Sequence, residues 1–220
     1  MKQAVFFDLD GTLLDTARDF AFAINLMLAQ QQKPALNFDL FRKTVYGESK
    51  KMISFAFNMD ESHPDFENLR NTFLKIYHAN CTQKTIFFPG IEQLLNTLDA
   101  NYIPWGIITS KPTWLAKPVT HHFNLDKRAA CIVMGDTLNK VKPDPAPLFH
   151  ACQHIAVLPE NAIYVGDLHT DILAAKAANM KSVCVTYGYH PSQTDFSTWQ
   201  ADFIAHLPSD IAQWMKLKKA

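Results

Sequence analysis

Two aspartates, Asp8 and Asp10, stand two residues apart in the run Phe6-Phe7-Asp8-Leu9-Asp10-Gly11-Thr12-Leu13-Leu14-Asp15-Thr16. Along an extended chain that spacing sends both carboxylates to the same side, so both can address one ligand. Bare carboxylates at the mouth of an apolar strand repel each other, by ~4 kcal/mol at about 4 Å with an effective dielectric near 20. Such a pair implies a cation, and it is a signature of phosphoryl transfer. The same Asp-x-Asp-Gly-Thr residues also suit an ordinary solvated turn, so the rest of the chain must supply the other groups that the chemistry needs.

Those groups are a hydroxyl to hold the phosphoryl group, a cation beside the nucleophile, and a further carboxylate for a metal. They appear in order. Ile103-Pro104-Trp105-Gly106-Ile107-Ile108-Thr109-Ser110-Lys111 is an apolar run ending in two hydroxyls, Thr109 and Ser110. Lys142 lies in the Pro-rich loop Lys142-Pro143-Asp144-Pro145, and Ala162-Ile163-Tyr164-Val165-Gly166-Asp167 is a buried-strand pattern ending in a carboxylate. Asp171 falls in the first turn of a helix expected from near His169, where it can serve the helix dipole or join a metal shell.

The elements that must position these groups follow from periodicity. Val5 to Phe7 reads as a buried strand, and Gly11 allows a sharp turn toward a helix. Further short apolar strands are expected near 103–109, 131–135, 161–166 and 181–187, alternating with helices as in a doubly wound parallel α/β sheet. Asp8, Thr109 and Asp167 then fall at carboxyl ends of strands and Lys142 in the loop beyond another, on the edge where open α/β sheets bind ligands. Between them, residues from about 16 to 81 carry helical periodicity: Phe20, Ile24, Met27 and Leu28, then Met52, Phe55 and Ala56, then Phe66, Leu69, Phe73 and Tyr77. A helical domain over 16–85 is therefore expected to interrupt a catalytic core formed by 1–15 and 86–220.

Composition narrows the class. Lys plus Arg and Asp plus Glu are 21 each, so no overall positive field draws in nucleic acid or anionic lipid, and attraction for phosphate must be local. A content of 48% hydrophobic residues allows a sizeable core. Cys81, Cys131, Cys152 and Cys184 are widely spaced and read as reduced core cysteines. His121-His122 has no partner at metal-ligand spacing, which argues against zinc. The seven glycines never cluster, so neither a dinucleotide fingerprint nor a Walker-type loop can be written. No signal peptide or membrane span is read from the chain. The expected setting is cytoplasmic and the expected assembly a monomer or weak homodimer.

The Asp8–Thr16 run, the strand ending in Thr109, the Lys142-Pro143 loop and the Gly166-Asp167 strand end together resemble the motifs of the haloacid dehalogenase-like hydrolases. The resemblance covers nearly the whole chain and is closest to the phosphoglycolate phosphatase-like branch. Trp105 to Pro112 and Tyr187-Gly188-Tyr189 also look like the bacterial N-acetylmuramic acid 6-phosphate phosphatases. It implies that Asp8 is the nucleophile, forming an aspartyl-phosphate, and that Asp10 protonates the leaving alcohol and then deprotonates water. Mg²⁺ would be held by Asp8, Asp167 and the backbone carbonyl of Asp10. Thr109, Ser110 and Lys142 would bind the phosphoryl group, with Asp171 orienting Lys142 or the metal waters.

The helical insertion resembles a cap that closes over the site and reads the leaving group. Arg18, Arg42, Tyr46 and Lys50 are its candidate substrate-facing residues, although for any one of these charges a solvated helix face is the stronger reading. The implied substrate is a small phosphorylated metabolite, 2-phosphoglycolate or a sugar phosphate such as N-acetylmuramic acid 6-phosphate. A phosphosugar mutase or a non-catalytic phosphate-binding regulator on the same core is the alternative; a dehalogenase would need neither Asp10 nor a metal. Arg18 where Pro is common, Leu168 where a polar residue is usual, and Tyr46-Gly47-Glu48 in place of a smaller loop are departures that bear on substrate identity.

Overall fold

The computed structural model describes residues 3–218, apart from the side-chain surroundings at positions 47 and 48; the segment Tyr46–Lys50, expected as a loop, is a 3-10 turn, Val45–Gly47, running into a helix that starts at Glu48. Six parallel strands form the main sheet: β1 (Ala4–Phe7), β4 (Trp105–Ile108), β5 (Ile132–Val133), β6 (Ala162–Gly166), β7 (Lys181–Val185) and β8 (Phe203–Ala205), in the order β5-β4-β1-β6-β7-β8. Two-residue strands β2 (Leu14–Asp15) and β3 (Ile86–Phe87) flank the helical segment. The helices are α1 (Ala17–Gln30), α2 (Phe38–Arg42), α3 (Glu48–Phe57), α4 (Phe66–Asn80), α5 (Ile91–Ala100), α6 (Thr113–His122), α7 (Leu125–Arg128), α8 (Ala146–Ile155), α9 (His169–Ala177) and α10 (Pro208–Trp214). Among the described residues, no helix is long and apolar enough to cross a membrane.

Burial on both faces explains why the strands read as continuous apolar runs rather than alternating ones. Ala4 to Phe7 are all fully buried. Ala4, Phe6, Ala162 and Tyr164 join Leu148, Ala151 and Cys152 of α8 and Ala174 and Ala175 of α9 in one core cluster. On β1 the ring of Phe7 meets that of Trp105 edge-on at 6.5 Å. The fourth strand begins at Trp105, two residues later than the apolar pattern suggested, and the carbonyl of Pro104 accepts from the Val5 N–H at 3.1 Å. Strand β8 has no counterpart in the sequence reading, because three residues with only Ala205 fully buried leave a weak apolar signal. Burial pushes the thiols of Cys131 and Cys152 up to about 11 and that of Cys184 to about 12, so these are packing groups and not nucleophiles.

The chain divides into two compact units. One comprises 1–15, 87–188 and 195–220 and holds the sheet; the other comprises 16–86 together with Tyr189–Thr194. In the helical unit, Phe20, Phe73 and Tyr77 form an aromatic core, with Phe20 and Tyr77 centroids 4.4 Å apart. The apolar stripe of α3 falls on Met52, Ile53 and Phe57, whereas Phe55 is exposed. Asp19, fully buried in the first turn of α1, accepts from the backbone N–H groups of Lys84 and Thr85 at 2.8 and 2.9 Å and from the Thr85 hydroxyl at 2.7 Å. It ties the end of the helical segment to its beginning. Asp19→Ala would leave two backbone donors without this acceptor, and a loss of about 2–4 kcal/mol is expected in urea unfolding.

Candidate active site

The switch point of the sheet sits at β1, which has β4 on one side and β6 on the other. At such a point the loops from neighbouring strands diverge and leave a crevice at their carboxyl ends. Asp8 follows β1, Thr109 follows β4, Asp167 follows β6, and Lys142 enters from the loop beyond β5. The Asp8 N–H still belongs to the ladder, donating to Val165 at 2.9 Å, and Thr109 N–H does the same to Val133 at 2.9 Å. Both side chains are thus set by sheet backbone rather than by a mobile loop.

Lys142 is the centre of the constellation. Its ammonium donates to Asp8 Oδ1 at 2.9 Å, to Asp171 Oδ1 at 2.7 Å and to the Tyr164 hydroxyl at 2.8 Å. The Tyr164 hydroxyl in turn donates to the Ile108 carbonyl at 2.8 Å. The Lys142 side chain is only 5% exposed, and Asp171 not at all. The turn that delivers Lys142 is closed by Asp144, whose N–H donates to Val141 at 3.0 Å and whose Oδ1 accepts from Ala146 N–H at the start of α8, at 2.9 Å. Burial works against the ammonium, but the Asp171 and Asp8 carboxylates outweigh it and hold its pKa well above the ordinary lysine value. Burial likewise raises Asp8, to about 6, against the pull of Lys142 and with Asp171 and Asp10 adding to the rise.

Asp171 closes the first turn of α9 and orients Lys142. Oδ1 faces Lys142, while Oδ2 accepts from the Leu168 N–H at 2.9 Å. One oxygen of each of Asp8, Asp167 and Asp171 lies within 4.8 Å of the others. These three carboxylates form a cluster that could hold a metal ion. The Thr12 hydroxyl donates to Asp167 Oδ1 at 2.9 Å and orients it. The site contains four carboxylates, Asp8, Asp10, Asp167 and Asp171, against the ammonium groups of Lys142 and Lys111. An all-oxygen donor set suits a hard ion such as Mg²⁺.

Glycine makes room for Asp167. Gly11 has φ of +90°, and a Cβ there would overlap the Asp167 carboxylate; a Cβ on Gly188 would meet both the Asp167 side chain and the Gly11 carbonyl. Gly11→Ala is therefore expected to displace Asp167 and cut kcat about 100-fold or more, since small misplacements at a reacting centre are costly; steady-state kinetics at saturating Mg²⁺ checks this.

The Asp10 carboxylate is held by Lys111, whose ammonium lies 3.0 Å from each of its oxygens. Thr109 is buried, and its Oγ1 accepts from the Lys111 N–H at 3.1 Å. Ser110 is exposed, with its carbonyl against Gly135. In the helical unit the Arg18 guanidinium lies 5.2 Å from the Phe38 ring centre, and that of Arg42 lies 5.0 Å from that of Tyr189. Tyr46 accepts from Lys51 at 2.9 Å, and Lys50 pairs with Glu61 at 2.6 Å on the surface. Sequence reasoning assigned no role to Lys111, Tyr164 or Thr12, although all three lie inside the quoted motifs. Tyr164 alone carried a signal, as a polar-tipped residue in an otherwise apolar strand.

Comparison with known proteins shows the family. A family model described as haloacid dehalogenase-like hydrolase matches residues 5–185. A protein of Pseudomonas putida named N-acetylmuramic acid 6-phosphate phosphatase is 35% identical over 209 residues, covering 95% of this chain and 94% of its own. One of Xanthomonas campestris pv. campestris named phosphoglycolate phosphatase is 38% identical over 212 residues, with 95% and 94% covered. A crystal structure described as a predicted phosphoglycolate phosphatase from Haemophilus somnus superposes with a TM-score of 0.84 at 26% identity, covering 97% of this chain and 98% of that one. With the acidic cluster, the switch-point geometry and these similarities together, the chain is a phosphatase belonging to the haloacid dehalogenase-like hydrolases.

Proposed function

We propose that this phosphatase hydrolyses a small phosphate monoester through an aspartyl-phosphate on Asp8. The observation that carries the reading is the buried Lys142 ammonium bridging Asp8 and Asp171, with Asp167 beside them. Asp8 and Asp167, with the Asp10 backbone carbonyl, would hold Mg²⁺, which when bound offsets the charge of the dianionic substrate and favours the ionised nucleophile.

In the first transfer an Asp8 oxygen bonds to phosphorus as the ester P–O bond breaks, and Asp10 gives its proton to the departing oxygen. In the second, Asp10 takes a proton from water as that water bonds to phosphorus, releasing inorganic phosphate and restoring the Asp8 carboxylate. The Thr109 hydroxyl holds a phosphoryl oxygen, and Lys142 turns the donor it gives Asp8 to another as Asp8 is esterified, where charge develops; Ser110 follows Thr109 beyond the strand end. Tyr164 and Asp171 keep Lys142 in place. The helical unit is the source of substrate selection, with Arg18 and Arg42 as cations suited to a substrate carboxylate and Tyr46 and Lys50 as further contributors. A cytoplasmic monomer or weak dimer acting on free metabolites fits this reading.

The substrates in the names of the relatives, phosphoglycolate and N-acetylmuramic acid 6-phosphate, both carry a carboxylate. Measuring kcat/KM with Mg²⁺ for the two, with Asp8→Asn as the blank, tests the proposal. Release of phosphate from either by the parent alone supports it, and the larger value names the substrate; release from neither, nor from an aryl phosphate, overturns it.

A further inference from the structure

We infer that Lys111 is a positioning residue for proton transfer, holding the Asp10 carboxylate in the orientation from which it serves the leaving group. The inference rests on the role proposed for Asp10. Lys111 is anchored at both ends: its N–H donates to Thr109 Oγ1 at 3.1 Å and its carbonyl accepts from Gly135 N–H at 2.9 Å. Its ammonium then reaches across from the β4 loop to the β1 loop, 3.0 Å from both Asp10 oxygens. At 6% exposure the lysine side chain is withdrawn from solvent, while Asp10 keeps 22%. A surface ion pair contributes little to stability, but here one partner is buried and the other only partly exposed. That asymmetry fits a fixed cation steering a carboxylate that must stay accessible.

The two loops joined this way carry different duties. The same residue whose backbone touches the phosphate-binding hydroxyl holds the proton donor with its side chain, so Lys111 sets the distance between them. A proton donor misplaced by about 1 Å can cost about 100-fold, and the cost falls on bonds whose cleavage needs the proton. P–O cleavage of an alkyl phosphate expels a strongly basic alkoxide and requires that proton, whereas 2,4-dinitrophenolate departs without it.

The experiment compares kcat/KM for the parent, Lys111→Met, Lys111→Arg and Asp10→Asn on 2-phosphoglycolate or N-acetylmuramic acid 6-phosphate, whichever the parent hydrolyses, and on 2,4-dinitrophenyl phosphate. Lys111→Met is expected to lose about 100-fold on the alkyl ester and less than about tenfold on the aryl ester. Lys111→Arg should recover part of the alkyl activity, and Lys111→Met/Asp10→Asn should be no worse than Asp10→Asn alone. Equal losses by Lys111→Met on both esters would overturn the inference and make Lys111 a phosphate ligand or a support of the fold. If Asp10→Asn itself loses equally on both, the role of Asp10 fails, and the inference with it. Should Lys111→Met not fold, Lys111→Gln, which keeps a hydrogen-bond donor, is read by the same ratio.

Discussion

Asp8→Asn is expected to abolish turnover, by about 10⁴-fold or more, while making the metal-free protein more stable at neutral pH. The first effect follows from the nucleophile: an amide cannot attack phosphorus to give the aspartyl-phosphate, and no neighbouring carboxylate shares its place at the end of β1. The second follows from burial. In the folded chain Asp8 keeps its proton up to about pH 6, against an ordinary value of 3.8. Between those values the folded state binds more protons than the unfolded one, so stability declines as pH rises through this window and stays lower above it. A shift of that size corresponds to at most about 3 kcal/mol, and about 1–3 kcal/mol is a realistic gain for the uncharged amide. Urea unfolding in the presence of a chelator should show the variant more stable than the parent at pH 7.5, with the gap closing near pH 4. A parent that is the more stable of the two at pH 7.5 would contradict the account. Stability given up for a reactive charged group is a common feature of active sites.

Lys142→Met is expected to damage both activity and fold. Removing the ammonium leaves Asp8 and Asp171 facing each other, one 9% and the other 0% exposed in its side chain. Breaking a buried ion pair from one side costs about 3–5 kcal/mol, and the Tyr164 hydroxyl loses its donor as well. The lysine pKa is raised by its partners, so in the parent this stabilisation is complete at neutral pH and is lost only in strong alkali. In the variant the penalty should be largest at pH 7 and above and shrink on acidification, as one of the carboxylates takes up a proton. Turnover should drop about 10³-fold, the order lost with one charge-stabilising donor. Lys142→Arg should rescue little, because a planar guanidinium cannot direct three donors to Asp8, Asp171 and Tyr164 from one point. Thermal melts at pH 5 and 8 beside kcat for each variant check both parts; a Lys142→Met protein as stable as the parent at pH 8 would show that these carboxylates are not coupled through the lysine.

Physical periodicity made much of the sheet readable from the chain. Strands buried on both faces must be apolar throughout, and each motif aspartate or threonine ended such a run, so the α/β class and the strand ends at Asp8, Thr109 and Asp167 could be placed without coordinates. The short edge strand β8 and the burial of Ile53 and Phe57 in place of Phe55 and Ala56 on α3 were not legible in the chain. Edge strands bury less, and short helices carry too few turns to set a phase.

What the sequence by itself determined about this protein is the set of groups and their order: two carboxylates, a hydroxyl, a lysine and two further carboxylates, with Asp8, Thr109 and Asp167 each ending an apolar run. Which of them meet was decided by tertiary structure alone. The pairing of Lys142 with Asp8, Tyr164 and Asp171 spans 134, 22 and 29 residues of chain, and that of Lys111 with Asp10 spans 101. The return of Tyr189–Thr194 to the helical unit, where the Tyr189 hydroxyl accepts from Ala17 N–H at 2.8 Å, is of the same kind. Periodicity reports only which face of an element is buried. The partner across a loop is chosen by where the sheet order brings strand ends together, and the order β5-β4-β1-β6-β7-β8 is a property of packing that no local pattern encodes.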